Sequence, residues 1–228
     1  MQRHVALILL LCWLPGAAIY AQQRLTIAGV GYSIPAFRAD SVDTFNDYYV
    51  IQKILPSIKS SPYELEIRAI VPQAIMNFED GGYCIDIKGN RDSLTADCYR
   101  LQRRGTDTDK SAIIIQKDPN SPVFDMLLYK KHFRRSAHLD SALRELLLNR
   151  VTDLLSNKAL LANLEKRGIK IRHAAPMDCC GDIFYEVKIG GRFRNFNTNA
   201  LYYMGNDKIK EIRHSANLDG IVYQLGRF

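Results

Sequence analysis

Between residues 63 and 117 the chain carries four short β-like runs, YELEIRAIV, GYCIDIKG, LTADCYRL and SAIIIQK. Turn and polar signals separate them: Pro72, Gly81-Gly82, the GNRD stretch and RRGTDTDK. Short runs rich in β-branched and aromatic residues, punctuated by Gly, Pro, Asn and Asp, fit strands joined by tight connections. Tight connections make antiparallel neighbours, since parallel pairs need a long crossover. The expected core of the molecule is therefore a largely antiparallel sheet.

The flanks read differently. Arg24 to Val30 alternates as a strand, with GVGYSIPAF after it as an irregular loop. Asp40 is placed to cap a helix whose apolar positions Val42, Phe45, Tyr49, Ile51, Leu55 and Ile58 recur near helical spacing, with Pro56 ending or kinking it. After the strands, Ser121-Pro122 is a helix-start signature for an apolar stripe of Val123, Phe124, Leu127 and Leu128. The strongest helical pattern covers 138–155, where Leu139, Leu143, Leu146, Leu147, Val151, Leu154 and Leu155 mark one face. KALLANLEKRG gives another short helix, with Gly168 suited to a left-handed C′ position and Ile169 placed to touch Leu164.

The last sixty or so residues return to β. IKIRHAA and DIFYEVKI read as strands, and Gly190-Gly191 is a two-residue hairpin signal. That turn sets Ile189 opposite Arg192, Val187 opposite Arg194 and Tyr185 opposite Phe196. ALYYM, KIKEIR and IVYQL are expected to add strands. Strands, then a central block of two or three helices, then strands again imply an α+β fold with mostly antiparallel sheet, not a doubly wound one. One compact domain from 22 to 228 is favoured, with 119 as the division point if there are two units, 22–118 and 119–228.

The chain opens MQRHVALILLLCWLPGAAIYAQQ, with Arg3 as a positive n-region, Val5 to Leu14 as an apolar core and Pro15-Gly16 as a helix break. This pattern reads as a signal peptide over 1–21, cut after Ala21. The expectation is an exported protein, periplasmic or secreted, whose mature chain has no transmembrane segment, because the apolar run falls short of the ~20 residues a span needs. The leader takes with it Trp13, the one tryptophan of the chain.

Of the formal net charge of +7, most is local. Between residues 100 and 135 nine lysines and arginines stand against four aspartates. Local positive charge draws anionic partners, here an anionic macromolecule, a glycan or a membrane surface. Lys130, Lys131, Arg134 and Arg135 in YKKHFRR are the candidate binding residues. Aromatics interleaved with cations also suit nucleic acid, but an exported protein seldom meets it. The competing reading makes these cations the solvated end of an amphipathic helix, near its C-terminal dipole.

No motif fixes a chemistry. AGVGYS at 28–33 lacks the third glycine of a dinucleotide loop, Ile34 standing there instead, and reads as a turn. His138 with Asp140 falls at a helix start, where an acid is favourable without any catalytic role.

The four cysteines outside the leader are Cys84, Cys98, Cys179 and Cys180. Export makes disulfides available. If the turn between the second and third strands centres on Arg91, Cys84 and Cys98 face each other and form the candidate bridge, closing a loop worth up to ~3 kcal/mol. The adjacent pair Cys179-Cys180 would be strained as a bridge, since neighbouring Cα atoms lie about 3.8 Å apart. With His173 the two form weak catalytic candidates for an exported hydrolase or thiol redox protein. Asp178 and Asp182 oppose an activated thiolate there. Adjacent cysteines lack zinc spacing, so no metal or other cofactor is expected. The favoured function is a non-catalytic exported protein that binds an anionic envelope component or macromolecule, and the exported enzyme is the alternative.

Overall fold

The computed structural model describes residues 23–34, 36–38, 55–71, 80–103, 113–116, 125–171, 182–199 and 205–226. The expected leader, the helix after Asp40 as far as 54, most of IKIRHAA, ALYYM, and the residues His173, Cys179 and Cys180 lie outside them.

The fold is α+β. Its centre is a seven-stranded antiparallel sheet in the order β6-β7-β5-β4-β3-β8-β9. The strands are β3 (Leu65–Val71), β4 (Asp80–Asn90), β5 (Ser93–Arg103), β6 (Ile113–Gln116), β7 (Asp125–Arg134), β8 (Ile183–Ile189) and β9 (Arg192–Thr198). Strands from both sides of residue 119 thus share this sheet. A separate hairpin pairs β1 (Gln23–Ile27) with β2 (Val30–Ile34) through the turn Ala28-Gly29. Among the described residues the α-helices are α1 (Ala137–Leu148), α2 (Asn157–Lys166) and α3 (Lys210–Gly226).

The second hairpin follows the sequence closely. Ile189 pairs with Arg192, Val187 with Arg194 and Tyr185 with Phe196, the last two rings stacked at 4.9 Å. Gly190 supplies the positive φ that a two-residue turn needs. At the end of α2, Gly168 sits at φ +69, and the amides of Gly168 and Ile169 donate to the carbonyls of Glu165 and Leu164. That is the Schellman pattern.

Several elements differ from expectation. GVGYSIPAF is not a loop, since Val30–Ile34 pairs with β1; Ala28 and Gly29 both take positive φ, as a primed turn requires. The second half of the expected helix from Ser121 is strand β7, because nine of its residues find partners along β5. The helix expected over 138–155 stops at Leu148, where Arg150 adopts φ +67 and the amides of Arg150 and Val151 cap the carbonyls of Leu147 and Leu146. The last four residues of KIKEIR, and all of IVYQL, belong to α3, whose buried Ile212, Ser215, Leu218, Asp219, Val222 and Leu225 recur at spacings of three and four. Their β-branched residues favour strands locally, but the buried face they share has helical period.

One side of the sheet is apolar. Leu65, Ile67 and Ala69 of β3, Ile85 and Ile87 of β4, Leu94, Ala96 and Cys98 of β5, and Tyr185 and Val187 of β8 pack with Leu143, Leu146, Leu218 and Val222 of α1 and α3. The β1–β2 hairpin joins this core through Ile27, and an added Cβ at Gly89 would come within 2.6 Å of the Ile27 side chain.

The candidate disulfide is overturned by register. The turn between β4 and β5 is the two-residue Arg91-Asp92, so Ile85 faces Cys98 and Cys84 faces Tyr99. A shift of one residue moves a side chain to the other face of a sheet. Cys98 therefore joins the core under the helices, Cys84 points to the opposite side, and both are buried free thiols.

Candidate functional site

The side of the sheet away from the helices is built from the alternate residues of the same strands, and there the chain places charge. Register aligns Glu186 of β8, Arg68 of β3, Asp86 of β4, Asp97 of β5 and His132 of β7 in one row across five strands. The next row runs Lys188, Glu66, Lys88, Thr95 and Arg134. Most of these groups are shielded from water: Asp86 is 0 % exposed, Glu66 1 % and Arg68 4 %. Buried charge survives only where partners offset its lost hydration.

The partners form a continuous chain. The Arg68 guanidinium meets three carboxylates, Glu66 at 2.5 Å, Asp86 at 3.5 Å and Glu186 at 3.6 Å, and donates to the Pro56 carbonyl at 2.8 Å. The Lys88 ammonium lies 2.8 Å from Asp86 and 2.9 Å from Asp97. Asp97 also takes His132 Nδ1 at 2.8 Å and stands 3.4 Å from the Lys130 ammonium. Lys188 donates to the carbonyls of Ser61 and Tyr63, each at 2.7 Å, and so ties the 55–64 segment over this side of the sheet.

Burial and neighbours set the protonation of the row. Burial, with Glu66 adding to it and Arg68 opposing, pushes the Asp86 carboxyl up to about 6. Burial also raises Glu186, against the pull of Arg68. Burial works the same way on Asp97, but the bonds from His132 and Lys88 and the charge of Lys130 hold it below the usual carboxylate range. Lys88 keeps its proton: burial disfavours its charge, and the hydrogen bonds to Asp86 and Asp97 prevail. One end of the row opens to a recess of about 320 Å³ lined by Lys59, Arg68, Glu186 and Asn195. The other end is the exposed strand β7.

Strand β7 carries the sequence-predicted cations. Lys130, Lys131 and Arg134 are exposed, as is His132. Strand geometry divides them: Lys130 and Arg134 stand on the charged side, with Lys130 over the Tyr99 ring at 5.4 Å. Lys131 stands on the other, over the Phe133 ring at 5.3 Å. Arg135 has a different task. Its guanidinium holds both Asp140 carboxylate oxygens at 3.1 Å and donates to the Ala28 carbonyl at 2.6 Å, anchoring the β1–β2 turn to the start of α1.

Three of the four predicted cations thus lie exposed on β7, Lys130 and Arg134 on one side of the sheet and Lys131 on the other, while the fourth, Arg135, ties the β1–β2 turn to α1. The structure separates Cys84 from Cys98. Among the described residues no group of His, Cys, Asp and Glu has the arrangement of a metal site. Asp182, beside the adjacent cysteines in sequence, accepts hydrogen bonds from Asn157, Asn197 and Asn199, and so pins β8 and β9 to the start of α2. Sequence reading missed the ionic row altogether. Its signal was the alternation of charge in LEIR, DIK and YEVK, where the charged residues occupy every second position within strands. No protein-family model, no curated protein and no solved structure matches this chain, so its chemistry rests on its own residues.

Proposed function

We propose that this is an exported binding protein that holds an extended polyanion along β7. The observation that carries the reading is the exposure of Lys130, Lys131 and Arg134 on one strand. Asp97, anchored by Lys88, holds Lys130 and His132 from the neighbouring strand β5.

The geometry favours a chain over a flat membrane. Residues four apart on a strand are separated by roughly 13 Å, so Lys130 and Arg134 present two contacts along a line. Lys131 projects from the opposite side of the sheet. Cations on two sides of a strand can clasp a narrow polyanion, whereas a bilayer surface needs them in one plane. Acidic polypeptide and acidic glycan chains both have that form. Contacts of this kind are screened by salt and act most strongly on the rate of encounter.

The test is binding of polyglutamate and of a heparin-derived oligosaccharide, measured at low and at physiological salt, for the wild type and for the triple variant Lys130→Glu, Lys131→Glu, Arg134→Glu. Binding that disappears in the variant and weakens with salt supports the reading. Equal binding by the variant at low salt rejects it. Binding to anionic lipid vesicles but to neither polymer also rejects it, in favour of a membrane surface. Arg135 is left unchanged because its removal acts on folding.

A further inference from the structure

A second site lies away from the sheet's charged side. The residues that follow β2, the turn after α1 and the first turns of α3 enclose an open cleft of about 750 Å³, within the range that small organic ligands occupy. Its walls divide by chemistry. Among the described residues, Arg38, Arg150 and Lys210 bring three cations to the wall and Asp153 one carboxylate. Phe37 and Leu148 supply apolar surface, and Leu148 is the exposed large hydrophobic residue among those described, at 63 %.

Local contacts hold this wall in place. Arg150 adopts a left-handed conformation, φ +67, at a helix C′ position that glycine fills at lower cost. Its guanidinium is clamped by both carboxylate oxygens of Asp153. The sequence therefore keeps a cation in a backbone position that works against any side chain. Nearby, the Arg38 amide donates to the Thr152 carbonyl at 2.9 Å and fixes the chain beside that turn. The Phe37 ring is backed by the Arg192 guanidinium, 4.6 Å from its centroid.

His214 completes the cleft, and its tautomer is set by Asn149. The Asn149 amide nitrogen donates to the Glu145 carbonyl, so its oxygen accepts from Asn217 at 2.9 Å and faces His214 Nδ1 at 3.2 Å. Nδ1 thus carries the hydrogen. Nε2 keeps a lone pair and has no hydrogen-bond partner among the described residues. Burial and the surrounding Arg150, Lys210 and Arg213 disfavour a charged ring, with Asp153 opposing them. His214 is a neutral wall, not a fourth cation.

We infer that this cleft binds a small amphiphilic organic anion, a carboxylate or sulfonate on an aromatic or aliphatic body, with its charge at Arg38, Arg150 and Lys210 and its body against Phe37 and Leu148. This inference is independent of the polyanion reading of β7.

The probe is anilinonaphthalene sulfonate, titrated by fluorescence against the full chain, with uncharged N-phenylnaphthylamine as its comparison. The expected result is saturable single-site binding of the sulfonate, roughly tenfold tighter than the uncharged amine, about 1.4 kcal/mol. The double variant Arg38→Glu, Lys210→Glu should lose that preference while keeping its far-ultraviolet circular dichroism and melting temperature. Lys130→Glu, on the other site, should bind as the wild type does. Equal affinity of the wild type for the two probes overturns the inference without any variant. So does an unchanged sulfonate affinity in the folded double variant.

Discussion

Asp86 and Asp97 stand directly opposite each other on neighbouring strands, two carboxylates in register, and the Lys88 ammonium reaches both at 2.8 and 2.9 Å. Like charges facing across a sheet repel. Lys88 turns that repulsion into a bridge and links the buried Arg68 cluster to the exposed strand β7.

Removing the bridge should be costly. Lys88→Met leaves both carboxylates without their shared cation, and breaking a buried ion pair from one side costs about 3–5 kcal/mol. Urea denaturation at neutral pH should show that loss, and the loss should shrink at pH 5, where Asp86 takes up a proton. A loss independent of pH would show that Lys88 contributes by packing alone.

The Asp86 carboxyl also shapes the pH dependence of the wild type. Its folded pKa, about 6, lies above the ordinary 3.8, so the folded state binds the proton more tightly than the unfolded chain does. Stability from this group is present below the ordinary value and falls as pH rises through 6, by roughly 3 kcal/mol at most. Glu186 acts in the same direction, and Asp97, lowered, acts in the opposite one at lower pH. Asp86→Asn should flatten the slope of denaturation midpoint between about pH 4 and 6; an unchanged slope would assign it to other groups.

Cys84 and Cys98 should stay unbridged. Native protein treated with iodoacetamide should leave both unlabelled, and denatured protein should label both, as read by peptide mass spectrometry. Burial raises both thiols, Cys98 to about 11 and Cys84 well above its ordinary value, so little reactive thiolate is present at neutral pH. A peptide crosslinked between the two positions would contradict the register of β4 and β5.

Gly89→Ala should loosen the β1–β2 hairpin. The new methyl meets Ile27 at 2.6 Å, and overpacking of this kind costs about 1–3 kcal/mol. Combining it with Ile27→Ala should cost less than the sum of the two, because the second change vacates the space the first one fills. Strict additivity in thermal melts would place the strain elsewhere.

Arg135→Ala should lower stability and leave polyanion binding intact, the reverse of Lys131→Glu. The Arg135 guanidinium spans the Ala28 carbonyl and Asp140, so its loss frees the first hairpin from α1. Equal losses of binding in the two variants would return Arg135 to the binding strand.

The sequence by itself determined the features whose causes are local. Gly190-Gly191 fixed a hairpin and its register, and Gly168 fixed the end of α2. Each of these depends on a backbone conformation or a hydrogen bond within a few residues. The α+β class was legible for the same reason, as short strands and helical stripes each carry their own period.

Tertiary structure decided what depends on a partner far along the chain. Residues 125–134 are a strand because β5 offers backbone partners, and 210–226 a helix because its apolar residues must meet the sheet on one side. A turn of two residues in place of one centred on Arg91 sent Cys84 and Cys98 to opposite sides of the sheet. The same alternation gathered Glu66, Arg68, Asp86, Lys88, Asp97 and Glu186, from four separate strands, into one ionic network. No local pattern encodes that meeting, because each charge is stabilised by neighbours that only the register of the sheet brings within reach.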